Sequence, residues 1–187
     1  MTAENGVGRP LMQHESTEEK GRSLMTPTHV LLATDGSEPS LEAARLARDL
    51  LNPAALAHIT ILAVVPPLDT VPFYGANVGY GMYDGGVLSQ ETYDAATALA
   101  EERAQDALRR TVEELKTTVP VETAVRRGSP ADEIVRCATE IGAGLIVMGS
   151  RGWGEMHAVL LGSVSERVLH AAHCPVLIAR PVETHAT

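Results

Sequence analysis

The segment with the clearest chemical content is residues 145–168, where the apolar run Leu145-Ile-Val-Met148 meets Gly149-Ser-Arg-Gly152 and then Gly162-Ser163 at a helix start. These are the parts of an anion site. Gly149 and Gly152 allow conformations and close approaches that a Cβ forbids, so main-chain N–H groups can converge on a phosphate. Gly162-Ser163 opens a helix whose first amides and positive dipole end favour the same charge. Arg151 supplies a fixed positive charge beside it. Ser163 precedes Glu166 by three residues, the spacing of a capping box, so its hydroxyl reads either as a cap on its own helix or as a phosphate ligand. Taken alone, the pattern is also that of a chain passing from sheet to helix. It is not a Walker loop, which needs Gly-Lys-Ser/Thr, because no lysine follows Lys116. Nor is it the dinucleotide fingerprint, which belongs after the first strand of its unit.

A carboxylate stands in a second short motif, Ala33-Thr-Asp-Gly-Ser37. Asp35 suits an Asx turn with Gly36-Ser37 or a cap on the first helix. Groups for catalysis are few. His157 could assist phosphoryl chemistry, but a loop histidine that packs or faces solvent is the plainer reading. Ser150 lies in a Gly-Ser-Arg-Gly turn and not in the Gly-x-Ser-x-Gly elbow of a hydrolase. His170 and His173-Cys174 lack a second pair at ligand spacing, so no metal is expected there. Trp153 fits a phosphate shield, a protein contact or an exposed loop aromatic.

The elements that must position these residues alternate from residue 29 onward. β-branched runs at 29–34, 58–65, 121–126, 145–148 and 175–180 predict five strands, and helices are predicted at about 39–51, 89–118, 130–141 and 163–172, the pattern of repeated βαβ units around a parallel sheet. Ser129-Pro130-Ala131-Asp132 marks a helix start through a hydroxyl cap, a proline in the first turn and an acid. Ala104, Leu108, Val112 and Leu115 form one stripe for the sheet to cover. Residues 66–88 form a long irregular connection, with no role assigned to Tyr74, Tyr80 or Tyr83. Residues 1–27 read as a disordered leader, 28–182 as one domain and 183–187 as a tail.

The 187 residues carry a net charge of −9, which disfavours a nucleic-acid partner, since that affinity comes from Lys and Arg. Hydrophobic residues at 44% and aromatics at only 3% imply a core of Val, Ile, Leu and Ala, as in sheets covered on both faces. No apolar run approaches the roughly 20 residues that span a bilayer, and no signal peptide is recognisable, so a cytoplasmic protein is expected. Cys137 and Cys174 read as two buried free thiols.

The spacing Gly149, two residues, Gly152, nine residues, Gly162-Ser163 resembles the ATP-binding pattern of the universal stress protein family. Ala33-Thr-Asp-Gly-Ser37, Arg127-Gly-Ser-Pro130 and His173-Cys-Pro-Val-Leu-Ile178 support the resemblance, which covers about residues 28 to 181. It implies a Rossmann-like α/β fold with an open five-stranded parallel sheet in the order 3-2-1-4-5 and helices on both faces. It also implies a homodimer through the last strand, from Pro175 to Arg180. In that order strands one and four are neighbours, so the switch-point rule for open α/β sheets also puts a ligand between Asp35 and Gly149.

Carried over to this sequence, the resemblance puts Ala33, Thr34 and Asp35 at the adenosine end and the Val64 backbone at the adenine edge. Met148, Gly149, Arg151, Gly152, Gly162, Ser163, Val164 and Ser165 would surround the ribose and phosphates. ATP is the implied ligand, with ADP or AMP as substitutes, and Asp35 would act through the sugar or through a bound divalent cation such as Mg2+. The expected role is a nucleotide-dependent dimeric stress regulator read by another protein, and not an enzyme. The alternatives are a slow ATPase or autophosphorylating protein, and a dimeric interaction module without nucleotide.

Overall fold

A computed structural model describes residues 28–67, 90–152 and 161–180. The elements run β1 (His29–Ala33), α1 (Glu38–Leu50), a short 3-10 turn (Pro53–Ala55), β2 (His58–Val65), α2 (Gln90–Leu115), β3 (Val121–Arg127), α3 (Pro130–Glu140), β4 (Leu145–Gly149), α4 (Ser163–Ala171) and β5 (Val176–Ala179). All five strands are parallel, in the order β3-β2-β1-β4-β5. Both the fold class and the strand order agree with the sequence expectation.

Alternation along the strands divides the core in two. Val30, Leu32, Ile59, Ile61 and Val147 face α1 and α2, whose small Ala43, Ala44 and Ala47 let the helix lie close on the sheet. Leu31, Ala33, Leu62, Ile146 and Met148 face α3 and α4 and pack on Ile134, Cys137 and Val168. On the first face Arg45 of α1 pairs with Glu38, Glu42 and Glu114, tying α1 to α2.

Three local expectations are corrected. Val112 is exposed, while Ala104, Ala107, Leu108, Thr111 and Leu115 form the buried stripe of α2. At about 100° per residue Val112 stands about 80° from Ala104, beyond the sheet's reach, whereas Thr111 falls at the centre. Ser129 is the N-cap residue of α3, yet its hydroxyl makes no cap hydrogen bond. Pro130 and the first-turn acids Asp132 and Glu133 start that helix instead. Of the two thiols, Cys137 is buried and Cys174 only half-buried. Among the described residues no helix is long and apolar enough to cross a membrane.

Candidate functional site

β1 ends against a turn that its own polar side chains organise. Thr34 N–H still donates to Leu62 O of β2 at 2.9 Å, after which Gly36 takes φ +75, a conformation that favours glycine. Ser37 donates to Asp35 Oδ1 twice, from its N–H at 3.0 Å and its hydroxyl at 2.5 Å. The Asx turn foreseen for Asp35 is therefore present, and it aims the exposed carboxylate rather than hiding it. Because Leu62 faces β1, strand alternation turns the Val64 backbone to the same side, just past the point where β1 leaves the sheet.

β4 ends beside that turn, one strand over. A Cβ on Gly149 would lie 2.7 Å from Pro39 C and 2.8 Å from Ser40 N, so only glycine lets β4 pass the start of α1. A Cβ on Gly152 would lie 2.5 Å from Asp35 Oδ2, which brings the loop backbone directly against the carboxylate. Between the glycines, Ser150 Oγ and Arg151 Nε are buried without a hydrogen-bond partner among the described residues. Leaving such an atom unpaired costs about 1–3 kcal/mol, so this part of the loop is suited to a polar ligand.

The loop is closed from the far side by α4. Ser150 N–H donates to Ala179 O of β5 at 2.7 Å, and Ser150 O accepts from Gly162 N–H at 2.8 Å and from Ser165 Oγ at 2.9 Å. Ser165 Oγ also lies 2.9 Å from Gly162 O. The hydroxyl of Ser165 is thus committed to loop closure. Gly162 is the N-cap of α4, since its carbonyl accepts from Glu166 N–H. Ser163 consequently occupies the first helical position, and the anticipated capping box with Glu166 does not form: the clamp on Gly162 starts the helix one residue too early for it. The amides of Ser163, Val164 and Ser165 precede the first intrahelical bond and form the positive end of the helix.

Ala33, Thr34, Asp35 and Val64 thus meet Met148, Gly149, Arg151, Gly152, Gly162, Ser163, Val164 and Ser165 at one carboxyl edge of the sheet. Within this set Ala33, Thr34, Met148 and Ser165 are buried, so only their backbone or positioning roles remain open to a ligand. Trp153 and His157 lie outside the described residues, as do Tyr74, Tyr80 and Tyr83. Sequence reasoning missed Ser150 and, on α2, Arg110 and Thr111. Arg110 Nη1 donates to Gly36 O at 2.9 Å, and Thr111 Oγ1 lies 2.8 Å from Thr34 Oγ1. The buried polar Thr111 at a helix position otherwise lined by apolar residues was the available signal. Burial pushes the thiols of Cys137 and Cys174 up, away from thiolate chemistry. Among the described residues no group of three or more His, Cys, Asp and Glu is arranged to hold a metal.

An open parallel sheet with its switch point between β1 and β4, and a glycine loop with a helix start at that point, define a doubly wound α/β protein. The family model "Universal stress protein family" matches residues 27–180, and the chain belongs to that family. Universal stress protein MJ0531 of Methanocaldococcus jannaschii is 34% identical over 152 residues, 81% of each chain. A universal stress protein of Thermus aquaticus is 36% identical over 81% of this chain and 97% of its own. Among solved structures, hypothetical protein MJ0577 of M. jannaschii shares the fold with a TM-score of 0.66 at 24% identity, over 84% of this chain and 98% of that one. A universal stress protein in complex with cAMP has a TM-score of 0.53 at 22% identity, over 82% and 97%. An Arabidopsis thaliana family protein with AMP bound has a TM-score of 0.52 at 17% identity, over 82% and 92%.

Proposed function

We propose that this chain is an adenine-nucleotide-binding universal stress protein that holds ATP at the junction of β1, β4 and α4 and acts as a nucleotide-dependent dimeric regulator. The observation that carries this reading is the close approach of Gly152 to Asp35, which joins a sugar-type or cation-type carboxylate to a phosphate-type loop at the switch point. The buried Ser150 Oγ and Arg151 Nε, together with the α4 amides, support an anion there. The cAMP and AMP complexes of related folds support adenine as the base. A divalent cation, when bound, would neutralise phosphate charge, with Asp35 as the carboxylate able to hold it. The site supplies an arginine and amides suited to an anion and a carboxylate suited to a sugar hydroxyl or a cation, and the reading is a binder and not an enzyme. Dimerisation through β5 is supported by that strand pairing with β4 alone among the described residues while Val176, Leu177 and Ile178 stay half-buried.

The reading is tested by denaturing freshly purified protein and identifying released nucleotide by chromatography. ATP, ADP or AMP is expected, and which of the three is found fixes the preferred phosphate number. Absence of any adenine nucleotide, with no binding when each is added back, would sink the proposal.

A further inference from the structure

The turn that carries Asp35 is held from behind by one turn of α2. A Cβ on Gly36 would lie 3.0 Å from Ala107 Cβ and 3.2 Å from its Cα, so the helix packs directly on the turn. Arg110 Nη1 binds Gly36 O at 2.9 Å. On the buried side the hydroxyls form a chain whose direction follows from counting protons. Thr111 Oγ1 donates to Ala107 O at 2.7 Å, so toward Thr34 it must accept, and Thr34 Oγ1 donates to it at 2.8 Å. Thr34 Oγ1 in turn accepts from Gly36 N–H at 3.1 Å. Ser40 Oγ, 3.1 Å from Thr34 Oγ1, gives its proton to Ser37 O at 2.8 Å. Both main-chain groups of Gly36 are thereby tied to α2, the N–H through Thr34 and Thr111 and the C=O through Arg110. Asp35 lies between the two residues so fixed, and its carboxylate is aimed by the N–H and hydroxyl of Ser37.

We propose that Arg110 and Thr111 are positioning residues for Asp35: α2 fixes the turn at 34–37 and so sets how well the carboxylate meets the nucleotide. This rests on the adenine-nucleotide reading above. Neither residue touches the ligand region itself. Thr111 is fully buried and Arg110 reaches only the back of the turn, so their effect passes through Asp35.

The test is an ATP–Mg titration of full-length wild type, Thr111→Val, Thr111→Ser, Arg110→Met and Asp35→Asn, with each of the first two α2 changes and Arg110→Met repeated in the Asp35→Asn background. Loss of one hydrogen bond in the support corresponds to about five- to tenfold weaker binding for Thr111→Val and Arg110→Met, with Thr111→Ser within about twofold of wild type. In the Asp35→Asn background the same changes should alter affinity by less than about twofold, because the group they position is gone. A purely structural role would give the same loss in both backgrounds and would overturn the proposal. So would wild-type affinity in Arg110→Met, a change at a half-buried position that keeps the test open if Thr111→Val does not fold. Failure of wild type itself to bind ATP, ADP or AMP would instead remove the nucleotide reading on which the proposal stands.

Discussion

A Cβ on Gly152 would stand 2.5 Å from Asp35 Oδ2, so the glycine-rich loop after β4 and the carboxylate after β1 meet over a distance no other residue type leaves open. Ser37 holds the other Asp35 oxygen with two hydrogen bonds, which aims the carboxylate at the loop. The two motifs, more than a hundred residues apart in the chain, therefore make one site, and their contact gives a way to perturb it without touching the core.

The two loop glycines should separate binding from folding. Gly149→Ala places a methyl group against the backbone of Pro39 and Ser40, which cannot yield, and should destabilise by about 1–3 kcal/mol. Gly152→Val meets only the Asp35 carboxylate at an exposed position, so its melting temperature should stay near wild type while nucleotide binding is lost. Thermal melts with and without ATP distinguish the pair: ligand should raise the melting temperature of wild type and leave that of Gly152→Val unmoved.

Ser165→Ala should act on stability first. Its hydroxyl is buried and closes the loop through Ser150 O and Gly162 O, and removing it should cost about 1–2 kcal/mol. That loss lowers the melting temperature by roughly 2–4 °C per kcal/mol in a chain of this size. Unchanged stability with weakened nucleotide binding would assign Ser165 to the ligand instead.

Stability should also fall on mild acidification for a reason remote from the site. At the amino edge of the sheet His29 and His58 are register partners with rings 5.0 Å apart, edge to face. Burial holds the His29 pKa below its ordinary value, the His58 ring adds to this, and the Ile141 backbone and Glu122 oppose it. The native state then binds the His29 proton less readily than the unfolded chain. Its contribution is present above the unfolded value of about 6.5 and is lost as pH falls through the lower native value. Urea midpoints should be lower at about pH 5.5 than at about pH 7.5, and His29→Gln should flatten that difference. Glu114 and Glu140, held low by Arg45 and Arg126, titrate below this window and do not contribute to it.

Much of this architecture is legible in residue patterning because the signals are redundant. Each strand is an apolar run rich in β-branched residues between turn residues, and the glycine spacing with Asp35 marks the switch point once the strand order implied by the family resemblance is added. What escaped has identifiable causes. Val112 fits an apolar stripe in sequence because fourfold spacing drifts by only about 40° per step, but the two steps from Ala104 carry it about 80° round the helix and into solvent. Thr111 escaped because an apolar count discards a threonine whose hydroxyl is satisfied internally. The capping box at Ser163 failed for a tertiary reason, the clamp of Ser150 on Gly162, which no local window contains. Ser165 fits the phosphate pattern in sequence, and only the fold reveals that its hydroxyl already has protein partners.

The central claim is that the Asp35–Gly152 junction binds an adenine nucleotide, and the most direct measurement is calorimetric titration of ATP–Mg into nucleotide-stripped wild type and Gly152→Val, with circular dichroism confirming equal fold. Saturable one-site binding by wild type and none by the variant is the predicted result. Equal binding by both, or binding by neither, would contradict it.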